Sequence, residues 1–167
     1  VESSYIIKVG DIIPSFQATD DKNQIFDSIS LRGHLVLIKF FRAHWWPYCI
    51  GELRRLNELR AEIDKLDIKV ITVSTDLPHQ IAEKRHLHGV QATMLSDYAL
   101  EVIDAFGLRN TAFHSGFGLD GGVDALPVPA TLLFDSDGQL VWMDLSKDYQ
   151  RRSDPLVVLN AIMIHFY

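Results

Sequence analysis

The stretch that most constrains this chain runs from residue 35 to residue 49. Leu35-Val36-Leu37-Ile38-Lys39-Phe40-Phe41 is apolar apart from one lysine and rich in β-branched and aromatic side chains. A run this short and this apolar predicts a buried central strand. Arg42-Ala43-His44-Trp45-Trp46-Pro47-Tyr48-Cys49 follows it. Pro47 suits the first turn of a helix, where its missing N–H costs nothing and its φ is already helical. Cys49 then falls within that first turn, where unpaired N–H groups and the positive end of the helix dipole favour a thiolate.

The helix that starts at Pro47 is the best in the chain. Leu53, Leu56, Leu59, Ile63 and Leu66 recur at three and four residues, while Arg54, Arg55, Glu58, Arg60, Glu62 and Lys65 take the other face. Asp67 closes it, and residues 68–74 read as a second buried strand. Upstream, strands at 16–19 and 24–27 flank a turn at 20–23, with one helical turn at 28–31. Downstream come a helix at 78–88, a strand at 91–95, and a helix at 98–106 stopped by Gly107. Residues 108–126, with Gly116, Gly118, Gly121 and Gly122, read as a long surface loop of the kind that covers a site. Strands at 131–135 and 139–144 form a hairpin across Ser136-Asp137-Gly138. An apolar helix at 155–166, with little charge on its outer face, ends the chain and invites cover by other elements or a partner chain. The order predicts one α/β domain over residues 1–167, with a parallel and an antiparallel half.

Several function classes fall away on composition. The net charge is −6, which offers no basic footprint for nucleic acid. No apolar stretch reaches the ~18 residues of a membrane span, and the start lacks the basic and apolar regions of a signal peptide, so cytoplasm is the default expectation. The seven histidines show no i, i+4 pair with carboxylate company, so no metal site and no cofactor is expected. One cysteine among 167 residues precludes an internal disulfide and points to a reducing compartment or to a thiol used singly.

The strand leading into a first-turn cysteine, with a later proline before a hairpin, resembles the thioredoxin fold. The pieces Gly10-Asp11 with Pro14-Ser15-Phe16, Phe41-Arg42 through Cys49, Glu52-Leu53, Phe106-Gly107-Leu108, Pro127 through Asp135, Gly138 and Asp148 through Pro155 stand in the order of the alkyl hydroperoxide reductase and thiol-specific antioxidant family, the peroxiredoxin-like proteins. The resemblance implies a central mixed β-sheet flanked by helices, with an N-terminal hairpin extension. It also implies a cis-proline at Pro129, beside the cysteine helix. Two departures stand out. The family's W-C-P-Y-C form has a cysteine where this chain has Trp46, and its P-x-x-x-T-x-x-C form has proline at Arg42 and threonine at Trp46.

What the resemblance implies chemically is a thiolate at Cys49 attacking a peroxide, with hydrogen bonds supporting the charge on both oxygens. Arg42, Arg151 and Arg152 are the candidate donors. Arg42 is otherwise a solvated strand end, and the two later arginines otherwise balance Asp148 and Asp154. Glu52 has the C-x-x-E spacing of an orienting group, against a bland reading as a surface residue paired with Arg55. Trp46 is either a lid over the thiol or a packing residue in the pocket, and Pro47 and Pro129 shape its walls. An indole offers only an N–H donor, so Trp46 does not replace a threonine hydroxyl. The expected activity is a one-cysteine peroxidase acting on hydrogen peroxide or organic hydroperoxides through Cys49, Arg42, Glu52 and Arg152. An external thiol, glutathione or a thioredoxin-type protein, regenerates it. Analogy with the family adds a homodimer. The alternative from another class is a thioredoxin-fold binding or regulatory protein without catalysis, contacting partners through Trp45, Trp46 and the 108–126 loop. A single-cysteine disulfide reductase or isomerase ranks below both, for want of the preceding cysteine.

Overall fold

The computed structural model describes residues 5–42, 47–87, 89–110, 126–146 and 155–167, with the backbone alone for Pro47 and Tyr48. The apolar run becomes β3 (Val36–Phe40), buried along its whole length. It lies inside the sheet, with both of its edges paired. On one side it runs parallel to β4 (Lys69–Ser74), which runs parallel to β5 (Thr93–Ser96). On the other it is antiparallel to β8 (Ala130–Phe134), which pairs antiparallel with β9 (Leu140–Leu145). The N-terminal hairpin, β1 (Gln17–Asp20) and β2 (Ile25–Asp27), joins this sheet through β1 against β5, giving the order β2-β1-β5-β4-β3-β8-β9. The expected extension is thus the edge of the central sheet. β6 (Arg109–Asn110) and β7 (Leu126–Pro127) pair antiparallel, which draws together the two ends of the predicted 108–126 loop; residues 111–125 lie outside the described residues.

Strand alternation divides the core into two layers. Val36, Ile38 and Phe40 face a cluster with Phe16, Phe106 and the buried side of α4 (Glu101–Ala105). Leu37 and Phe41 face the other cluster, built on α1 (Pro47–Leu56), α2 (Arg60–Leu66), α3 (Pro78–Lys84) and α5 (Pro155–Phe166). The helix expected to run unbroken to Leu66 is split by a 3₁₀ turn at Asn57–Leu59. The apolar spacing accommodates the break. Leu53, Leu56 and Leu59 are three apart, and the turn of three residues suits that spacing, keeping all of them inward at 1%, 5% and 2% exposure. Asp67, in the left-handed region at φ 51°, ends α2 as expected.

One boundary moves for a backbone reason. The helix predicted at 98–106 begins at Glu101, because Leu100 adopts φ 64° and the Asp97 carboxylate caps the turn, accepting the N–H groups of Val102 and Ile103 at 3.0 and 2.7 Å. Gly107, at φ +70°, stops it as predicted. Among the described residues no helix is long and apolar enough to cross a membrane.

Candidate active site

Cys49 occupies the third position of α1. The inward face of this helix follows from i, i+3, i+4 and i+7 spacing, which puts Cys49, Glu52, Leu53 and Leu56 on one side. All four are buried, Cys49 to 1% exposure and Glu52 to 6%. The thiol belongs to the same cluster as Leu37, Phe41 and Leu53. β3 therefore does two things for it: its residues wall the thiol from below, and its end delivers the chain to the helix start.

Glu52 is no surface partner of Arg55. It turns inward and its Oε1 lies 3.0 Å from the Lys39 ammonium, with side-chain exposures of 8% and 2%. Lys39 Nζ also donates to Thr131 Oγ1 on β8, at 2.7 Å. Sequence reasoning assigned Lys39 no role, yet a signal was present: it is the one charged residue in the run, and it shares strand parity with Leu37 and Phe41, whose side faces α1. Register adds two more polar groups to this level. Lys39 pairs with Thr72 on β4, and Thr131 pairs with Asp144 on β9, so Thr72, Lys39, Thr131 and Asp144 form a polar row across four strands beneath the cysteine helix.

Arg42 is 6% exposed, which overturns its reading as a solvated strand end. The Phe41 N–H still donates to Val73 O at 3.2 Å, so strand pairing with β4 continues up to the residue before Arg42 and holds it at the inner edge of the sheet. Pro129 is also buried, between β7 and β8. The peptide bond before it is trans, since the described residues contain no cis bond, which corrects the cis form implied by the resemblance. An extended entry into β8 accounts for the difference. Val128 donates to Leu108 O at 2.7 Å and Pro129 O accepts Ser146 N–H at 2.8 Å, so both sides of the proline are tied to neighbouring chain in line with the strand. Pro47 opens α1 as expected, while Trp46, Arg151 and Arg152 lie outside the described residues. Of the sequence-predicted residues, the structure brings Cys49 and Glu52 to one buried helix face and places Arg42 at the end of the strand beneath it. Among the described residues no three His, Cys, Asp or Glu side chains come together in a way that could hold a metal ion.

The chain and its fold have counterparts among known proteins. The sequence profile of the AhpC/TSA family matches residues 9–143. Peroxiredoxin Bcp of Escherichia coli strain K12 is 26% identical over 159 residues, spanning 95% of this chain and 97% of that protein. The fold superposes on peroxidoxin BcpB from Mycobacterium tuberculosis with a TM-score of 0.75 at 20% identity, covering 95% of this chain and 96% of that one. It superposes on a thiol peroxidase from Chromobacterium violaceum with a TM-score of 0.77 at 20% identity, covering 98% and 91%. A profile that spans both the cysteine helix and the β8–β9 hairpin, on a sheet of matching topology, means that this chain belongs to the AhpC/TSA family and is a peroxiredoxin-like protein of the thioredoxin fold.

Proposed function

We propose that this protein is a one-cysteine thiol peroxidase reducing hydrogen peroxide or organic hydroperoxides through Cys49, and that an external thiol such as glutathione or a thioredoxin-type protein regenerates it. The observation that carries the reading is the coincidence of the family match with the lone cysteine in the first turn of α1. In the first step the Cys49 thiolate attacks the nearer peroxide oxygen. The S–O bond forms as the O–O bond breaks, the sulfur is oxidised to sulfenic acid, and the departing alkoxide or hydroxide takes a proton and leaves as alcohol or water. A second thiol then condenses with the sulfenic acid, giving a mixed disulfide and water. A third thiol releases Cys49 and carries away the external disulfide. The 167 residues hold one cysteine, so the second and third thiols come from outside them.

Within this reading Arg42 is the donor that steadies charge on the peroxide oxygens, aided by Arg152. Glu52 orients the site, and Trp46, Pro47 and Pro129 bound the space for the substrate. Cys49 is 1% exposed, so the reading requires the start of α1 to open before peroxide and the external thiol can reach the sulfur. The family match favours catalysis over a binding module without chemistry. The test is peroxide consumption with dithiothreitol as reductant, alongside trapping of the sulfenic acid by a cyclic dione after one equivalent of peroxide. Wild type is expected to turn over and to label at Cys49, and Cys49→Ser to do neither. Absence of labelling in the folded wild-type protein would remove the reading.

A further inference from the structure

The one lysine buried among the described residues lies under the cysteine helix. A buried ammonium is costly unless it is paired and hydrogen-bonded, and replacing such a pair by apolar side chains is often neutral or stabilising. Stability alone is therefore a weak reason for Lys39 to sit in the middle of β3. Its geometry offers another reason. Nζ is held from two sides, by Glu52 Oε1 at 3.0 Å and Thr131 Oγ1 at 2.7 Å. Glu52 stands one turn after Cys49 on the inward face of α1, a spacing that puts their Cβ atoms ~5–6 Å apart. An uncompensated carboxylate at that range, in a buried setting, would oppose ionisation of the thiol. The Lys39 cation is placed to cancel it.

Taking Cys49 as the reacting thiol, as proposed above, we infer that Lys39 is a positioning residue for it: held by Thr131, it neutralises Glu52 beneath the first turn of α1 and so lets the thiolate form beside a carboxylate. Among the described residues, strand register and helix spacing put Glu52 from α1, Lys39 from β3, Thr72 from β4, and Thr131 and Asp144 from β8 and β9 on this side of the sheet. Arg42 stands at the end of β3. α5 contributes Val158, Ala161 and Ile162, which carry no charge. Removing the lysine and removing the carboxylate should therefore move the thiol in opposite directions, which loss of packing alone does not do.

The experiment is a pH titration of the thiolate by its ultraviolet absorbance, with Cys49→Ser as the blank; the single cysteine makes the signal specific. Lys39→Met is expected to raise the midpoint by about one pH unit, and Glu52→Gln to lower it by about as much, a tenfold change in thiolate fraction each way. Thr131→Val, which releases the ammonium from β8, is expected to give a smaller rise. Should Lys39→Met fail to fold, Glu52→Gln alone decides: a midpoint that is unchanged or higher overturns the inference, as do shifts of the same sign in both variants. The readout needs no peroxide turnover. Opposite shifts in a protein without peroxidase activity would sustain the electrostatic role while removing the proposed function, and peroxidase activity without the shifts would do the reverse.

Discussion

Asp97 offers a test of the electrostatics of this fold that is independent of catalysis. It follows β5 and is 4% exposed. Its own N–H donates to Ser74 O at 2.8 Å, and its carboxylate accepts from Val102 and Ile103 at the start of α4. Those two N–H groups favour the charged form, but burial outweighs them and, with Asp104 and Glu101 nearby, pushes the carboxyl up to about 6 from its ordinary 3.8. A rise of about two pH units corresponds to about 3 kcal/mol. Because the folded state holds this proton more tightly than the unfolded chain, Asp97 contributes its full share of stability below about pH 4. That share is lost as pH rises towards about 6, and the loss is complete at neutral pH. The perturbation is Asp97→Asn, which keeps one acceptor and does not titrate. Urea unfolding of both proteins at several pH values between 4 and 7 gives the free-energy difference between them at each pH. Wild type minus variant is expected to fall by about 2 to 2.5 kcal/mol across this range, while any constant offset reports the lost cap bond. A difference that stays flat, or rises with pH, would show that the helix-capping bonds and not burial set the charge state of Asp97.

Other expectations follow from geometry. Gly107→Ala places a Cβ at φ +70° and 1.8 Å from Tyr5 O, so the N-terminal segment, whose Ile7 donates to Phe106 O at 3.1 Å, must move. The loss should be about 3 kcal/mol, read as a Tm roughly 6–12 °C lower, and an unchanged Tm would contradict this close approach. Leu53→Ala opens a cavity between α1 and the sheet at a side chain 1% exposed, at a cost of about 3 kcal/mol in urea unfolding. Since Leu53 packs in the same cluster as Cys49, peroxide consumption at constant enzyme should fall with it, and a drop in stability with activity untouched would separate the two.

Much of this protein could be read from its residues alone. The run of β3, apolar apart from Lys39, admits little but a buried strand, Pro47 marks a helix start, and their sequence places Cys49 in the first turn without reference to anything distant. Local signals also placed Asp67 and Gly107 as helix ends and the Asp137-Gly138 turn between β8 and β9, since backbone conformation there depends on the residue itself. The apolar face of α5 was foreseen as well, and Leu156 and Ile164 stand 70% and 72% exposed on it.

Tertiary structure decided what depends on groups far apart in the chain. Thr19 meets Ser96 and makes the N-terminal hairpin an edge of the main sheet. Lys39 reaches Thr131 across 92 positions, and no periodicity in either strand names the other as its partner. The surface reading of Glu52 failed for the same reason: charge alone favours solvent, and only a buried cation on the neighbouring strand makes the inward rotamer affordable. Arg42 likewise has the composition of a strand end and the burial of a core residue. Spacing along the chain thus determined where the thiol sits, because helix starts are local; the charges around it were set by strands brought together over long distances, which is a property of the folded sheet.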